Sequence, residues 1–370
     1  MCFDLARGRV TELLDKTSGL NLVDADAPFG FNQYVHDRYT SAPHFNHLSS
    51  RIQATDLALL GERSAGGLAV VTRRSSNPVW DSVTVRLVDE RADIVQSTLT
   101  LFRSVKRLDI TNRIYKVGTP EKESVYFSFP FAVSDPSFHY EITGGIDSPD
   151  APRVPGSADH MRAIRHWVGL ENDKVRLAWA TMEAPLVQFG NIHLPYLPFP
   201  ETIDHGIANP ATVYTWALNN IWDTNFPSRQ QGEMEFHYAV TSGEDVETPE
   251  LGMRTAAALT TPLLGILSAP SAVEDLPDRG SFCSVDHPRI DVVALTPSRR
   301  GRDFVVMLQS LSSENEEVCV SFGLLRVARA WVGSHLEKHL EEARVDGEGV
   351  RFTVPAGSLV CLVVDLERGG

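Results

Sequence analysis

Apolar and polar side chains alternate at period two along most of the chain. Val83, Val85 and Leu87 form one such set, Leu99 and Leu101 a second, and Val125, Phe127, Phe129 and Phe131 a third. Leu177 and Trp179, then Val213, Thr215 and Ala217, then Phe236, Tyr238 and Val240 repeat it. Each set puts every second side chain on one side, the mark of a half-buried strand. Turn-forming clusters separate the sets at short intervals: Ser75-Ser76-Asn77-Pro78, Ser134-Asp135-Pro136, Gly144-Gly145 and Glu171-Asn172-Asp173. That punctuation belongs to antiparallel sheets, so the pattern predicts an all-β protein. Leu48 to Leu60 and His335 to Ala343 have helical composition, without a clear cap on either. The texture changes from Thr255 to Arg279, which reads as a connection. Strand logic then resumes at Phe304 to Leu308, Val318 to Phe322, Val350 to Val354 and Leu359 to Val364, with Gly347-Glu348-Gly349 as a hairpin turn. These suffice for a small antiparallel sandwich. The expected division is 1–265, a connection at 266–284, and a second β unit at 285–370.

Composition narrows the class. Of 370 residues, 42% are hydrophobic and 22% charged, which excludes a disordered or fibrous chain. Thirty-four Lys and Arg against 48 Asp and Glu give a net charge of -14. No global field draws in phosphate backbones or anionic lipid, so neither nucleic acid nor a membrane is an expected partner. No apolar run approaches the roughly 20 residues that span a bilayer. No basic stretch followed by an apolar one marks a secretory leader, and the expected setting is cytoplasmic. Cys2, Cys283, Cys319 and Cys361 lie too far apart for a CxxC motif and read as small buried hydrophobes.

Short catalytic motifs are absent. The twelve histidines form no His-x-Asp or His-Glu-x-x-His pattern. His36, His44 and His47 fall within twelve residues, but around Pro43 and Asn46 they read as solvent-facing or capping groups rather than metal ligands. Gly333-Ser334-His335 sets a hydroxyl beside an imidazole, yet neighbours in a chain rarely point at each other. Two dense segments remain, Arg165-His166-Trp167-Val168-Gly169 and the run from Trp216 to Gly232 with Trp222, Asn225, Phe226, Arg229 and Gln230. Aromatic faces that cover C–H patches, beside amides and guanidinium that bond hydroxyls, are the mixture that grips sugars. The competing reading makes the tryptophans core and the asparagines turn-formers.

Several of these residues carry a family resemblance. Phe3-Asp4 running into Gly8-Arg9-Val10 and Leu14-Asp15-Lys16, then His166-Trp167, Glu183-Ala184-Pro185-Leu186-Val187, and Asn219 to Tyr238 together resemble the C-terminal β region of glycoside hydrolase family 38, the α-mannosidases. The stretch from Trp222 to Gly232 is the most specific part. The resemblance implies a galactose mutarotase-like supersandwich over 1–265, followed by a smaller C-terminal antiparallel β-sandwich. It also implies that the catalytic zinc, the nucleophile and the acid/base residue belong to an N-terminal domain with no counterpart here, so this chain is expected to hold no cofactor and no catalytic residue. By analogy, Arg229, Asn225 and Gln230 reach towards sugar hydroxyls and Trp222 or Phe226 offers an apolar face, with carbohydrate and a catalytic domain in cis or trans as partners. Three functions follow: a non-catalytic carbohydrate-associated module; an autonomous mutarotase-, epimerase- or lyase-like enzyme with a pair such as His139 and Glu141 as acid and base; and a purely structural docking module.

Overall fold

The computed structural model describes residues 1–39, 60–88, 93–152, 154, 161–192, 210–221, 229–243, 245–267, 279–299, 301, 303–323, 325–347 and 349–367. The chain divides into two compact units, 1–140 with 148–261, and 141–147 with 262–370. Its strands up to the helix are β1 (Cys2–Asp4), β2 (Arg9–Glu12), β3 (Gln33–Tyr39), β4 (Leu60–Ala65), β5 (Ala69–Ser76), β6 (Trp80–Val88), β7 (Ile94–Phe102), β8 (Leu108–Lys116) and β9 (Glu123–Pro130). They continue as β10 (Ser137–Ile142), β11 (Gly145–Asp147), β12 (Arg162–Ala163), β13 (Trp167–Glu171), β14 (Arg176–Thr181), β15 (Leu186–Phe189), β16 (Thr212–Asn219) and β17 (Gly232–Ser242), before α1 (Thr248–Thr260).

Two antiparallel sheets build this part of the fold, a nine-stranded one ordered β11-β10-β13-β14-β17-β8-β7-β6-β5 and a six-stranded one ordered β12-β15-β16-β9-β3-β4. Their inner faces meet through aromatic rings. Phe129 of β9 lies 5.3 Å from Trp179 of β14 and 5.0 Å from Tyr238 of β17, and Phe138 of β10 lies 4.8 Å from Phe189 of β15. Each such ring contributes about 1.5–3 kcal/mol on burial. The turn into β3 is fixed by Asn32, at φ 57, whose amide exchanges reciprocal bonds of 3.1 and 2.7 Å with Asn112 of β8. Asparagine tolerates that left-handed conformation better than most side chains.

The alternation predicts β9 to be half-buried, and here the structure differs, since all eight of its residues are buried. The connection expected from Thr255 begins instead as the end of α1. Its Thr248, Leu251, Gly252, Thr255 and Ala256 are buried, spaced to line one helical face. That face rests on β13 and β14, where a Cβ on Gly252 would meet the Trp167 ring at 2.4 Å. Only glycine permits so close an approach.

The second unit carries β18 (Ser284–Val285), β19 (Ile290–Pro297), β20 (Asp303–Ser310), β21 (Glu316–Ser321), β22 (Val327–Gly333), β23 (His339–Asp346), β24 (Gly349–Val354) and β25 (Leu359–Leu366) in one antiparallel sheet ordered β18-β21-β24-β23-β22-β25-β20-β19. Val306, Val318, Ala330, Val350 and Leu362, from five of these strands, share one core, so the sheet folds over on itself. The helix expected over His335 to Ala343 is corrected to a turn leading into β23. Pairing with β22 on one side and β24 on the other overrides the local helical composition. Of the other helical stretch, 48–59 lies outside the described residues and Leu60 opens β4.

Candidate functional site

The strands of the six-stranded sheet keep apolar residues on both sides. Val125, Phe127 and Phe129 turn inward, and Tyr126 between them turns outward, where its ring stacks on Trp216 at 6.0 Å and 15°. Tyr39, Tyr214, Val35, Ile192 and Ile221 join the same outer cluster, with Phe29 packed against it. Phe29 meets Tyr214 edge-on at 6.1 Å. Burial pushes the Tyr39 hydroxyl up to about 12, with the Asp37 charge adding to it, and burial alone drives Tyr214 to about 12. These phenols therefore remain protonated donors at neutral pH. The Trp216 Nε1–H is buried and finds no acceptor among the described residues.

An ion pair sits in this aromatic layer. Asp37 of β3, fully buried, faces Arg63 of β4 directly across the ladder and accepts its Nε–H at 2.6 Å and its Nη2–H at 2.7 Å. Two parallel bonds make this a strong, geometrically fixed pair. Burial alone would lower the Arg63 pKa, but the Asp37 carboxylate outweighs it and raises it. The Arg63 side chain is about a quarter exposed (24%) and its guanidinium lies 5.6 Å from the Phe29 ring centre. Arg63 and Phe29 are thus the accessible rim of an otherwise buried layer.

Tyr39, Ile192 and Ile221 of this layer are the last described residues before 40, 193 and 222. Trp222, Asn225 and Phe226 lie outside the described residues, as do His44 and His47. Arg229 and Gln230 are exposed just before β17. Gln230 borders, with Asn220, Lys116 and Glu123, a hollow of about 10 Å³, room for one water at most.

Beneath that hollow runs a buried polar chain that the sequence does not disclose. The Tyr34 hydroxyl donates to Asp93 at 3.2 Å, and Lys116 Nζ bridges Asp93 at 3.1 Å and Glu123 at 2.9 Å. His36 Nε2 lies 2.8 Å from the other Glu123 oxygen. Burial tends to raise the Glu123 pKa, and its bonds to His36 and Lys116 outweigh that and lower it. The expectation of a solvent-facing His36 is corrected: it lies on β3, 2% exposed, because the strand turns it into the space between the sheets.

The remaining predicted residues are dispersed. His166 is half-buried, its pKa lowered by burial and by the Arg165 charge. Trp167 is 1% exposed beneath α1, its ring against Gly252. His139 pairs with Glu171 at 3.3 Å, across the β10–β13 ladder. Among the described residues no three His, Cys, Asp or Glu side chains converge as metal donors.

No protein-family model matches the sequence, and no curated protein matches it. Solved structures do. A protein in glycosyl hydrolase family 38 from Enterococcus faecalis superposes with a TM-score of 0.67 and 11% identity over 95% of this chain and 41% of its own. An alpha-mannosidase from Enterococcus faecalis V583 does so with a TM-score of 0.67 and 10% identity over 95% and 40%. This chain thus spans about two fifths of the length of those structures, and what it shares with them at such identities is the fold.

Proposed function

We propose that this chain is a carbohydrate-binding β module of an α-mannosidase-like protein of glycoside hydrolase family 38, and that hydrolysis belongs to a separate catalytic domain, in cis or trans, which holds the zinc. The observation that supports the reading is the fold correspondence with family 38 structures over 95% of the chain. The sugar lies at the outer rim of the six-stranded sheet, where Arg63, fixed by Asp37, offers N–H groups and Phe29 offers a ring. Trp222, Asn225, Phe226, Arg229 and Gln230, on the segment that leaves at Ile221, supply further amides, a guanidinium and apolar faces. Calorimetric titration with α-linked mannotriose tests it. Arg229→Ala is expected to weaken binding by about 1.5 to 3 kcal/mol while leaving the unfolding midpoint in place. A chain that binds no mannoside, or that hydrolyses one unaided, contradicts the proposal.

Docking against a catalytic domain is a second reading, favoured by Leu263, Leu264, Ile266 and Leu267, whose side chains are each at least 85% exposed. It predicts self-association of the isolated chain that the double change Leu264→Glu and Leu267→Glu abolishes.

A further inference from the structure

We propose that the outer face of β5, β6 and β7 is a second glycan-contacting surface, one that takes an extended, uncharged polyhydroxylated chain. This rests on the carbohydrate reading above and places a contact on the opposite sheet. The face holds a hollow of about 480 Å³ lined by hydroxyls, with Trp80 and Arg73 at its margins. Strand register sets the hydroxyls in two adjacent rows. Ser75 lies opposite Ser82, and Ser82 opposite Thr100; Arg73 lies opposite Thr84, and Thr84 opposite Thr98. Neighbours in a row stand about 4.8 Å apart, and the rows are offset by one two-residue step along the strands. Short side chains between a tryptophan and an arginine leave the depression.

The bonding capacity of this face is largely unspent. Thr84 and Thr98 bond each other at 3.0 Å, and Thr72 donates to the Thr84 carbonyl at 3.3 Å. The side chains of Ser75, Ser82, Gln96, Thr100 and Arg73 engage no protein group among the described residues. Threonine suits a strand for its own sake. That preference accounts for single threonines, but not for hydroxyls in register around a half-buried Trp80 in a hollow. Hydroxyl and amide groups that both donate and accept, beside one aromatic face, match the hydroxyls and C–H patches of a sugar chain. The lining carries one cationic side chain, Arg73, with the exposed Arg86 opposite Gln96 at its edge; two charges beside a row of neutral hydroxyls match a neutral glycan better than a polyanion.

Affinity electrophoresis of the intact chain through gels containing soluble α-mannan tests the surface, with unfolding midpoints measured alongside. Trp80→Ala is expected to weaken retardation about tenfold, and the double change Ser82→Ala with Thr100→Val a few-fold, with midpoints little changed. Retardation that both variants retain in full overturns the surface. Arg229→Ala separates this proposal from the one it rests on. Loss of mannotriose binding in Arg229→Ala with full retardation of Trp80→Ala removes this surface and leaves the six-stranded rim. Loss of retardation in Trp80→Ala alone removes the rim and leaves this surface. A native chain that α-mannan does not retard overturns it as well.

Discussion

The two sheets of the first unit turn unlike outer faces outward. On the six-stranded sheet, Tyr39, Tyr126, Tyr214 and Trp216 are at most 7% exposed and enclose the Asp37–Arg63 pair. In the hollow on the outer side of β5 to β7 of the nine-stranded sheet, the lining is hydroxyls, an amide and Arg73 beside a half-buried Trp80. One face is a second core with a narrow polar rim, and the other is an open polar surface. Polar groups therefore carry different weight: the ion pair in the first is bonded within a buried layer, whereas the Ser75, Ser82 and Thr100 hydroxyls in the second make no bond to protein among the described residues. Trp167 makes the point on the β13–β14 part of the nine-stranded sheet, where α1 covers it and leaves it no ligand face.

Breaking the contrast is most direct with its tryptophans. Trp216→Ala should cost about 3–5 kcal/mol in denaturant unfolding through the cavity it leaves, while Trp80→Ala should change stability much less. Equal losses would show that the two faces are equally packed. Next come the arginines: Arg63→Met leaves the buried Asp37 carboxylate without its partner and should cost about 3 kcal/mol. Arg113→Met, whose partners are the exposed Glu233 and the half-exposed Glu235, should leave the unfolding midpoint little changed. A smaller effect, about 1–3 kcal/mol, is expected for Gly252→Ala, which drives a methyl into the Trp167 ring; a neutral result would show that α1 sits loosely.

The least of these effects is a pH slope. Burial would raise the Asp15 pKa, but the Lys106 ammonium at 2.6 Å, the Thr17 N–H and the Ser242 hydroxyl together hold it at about 2, below its ordinary 3.8. A depressed carboxyl stabilises the fold fully above its unfolded value and loses that contribution as pH falls through the folded one. Asp15→Asn should therefore flatten the acid limb of the stability curve between about pH 4 and pH 2. An unchanged limb contradicts the arrangement.

Much of this architecture is legible in period two. Val213 and Thr215 mark the inward side of β16, which a bulge at Ala217 passes on to Leu218, and the interleaved Tyr214 and Trp216 signal that its other side is buried too, since a run without polar alternation needs two covers. The β23 strand is hidden because five of its eight residues are exposed and its composition favours helix, so only its neighbours decide its form. Helix α1 escapes the pattern although Pro249-Glu250 opens it and Ala256 to Ala258 continue it, because packing on Trp167 rather than a strong apolar stripe holds it. For the site, the segment after Ile221 is readable as a dense mixture of aromatic and amide residues. The Asp37–Arg63 pair and the chain from His36 through Glu123 and Lys116 to Asp93 are not, because register between distant strands brings them together and no local spacing encodes that.

Amide hydrogen exchange of the intact chain, with and without α-linked mannotriose, locates the sugar most directly. The account predicts new protection in peptides covering 33–39, 60–65 and 219–232, around Arg63 and the segment that leaves at Ile221. Saturating sugar that protects none of these peptides, while slowing exchange elsewhere or nowhere, would contradict the placement of carbohydrate at the rim of the six-stranded sheet.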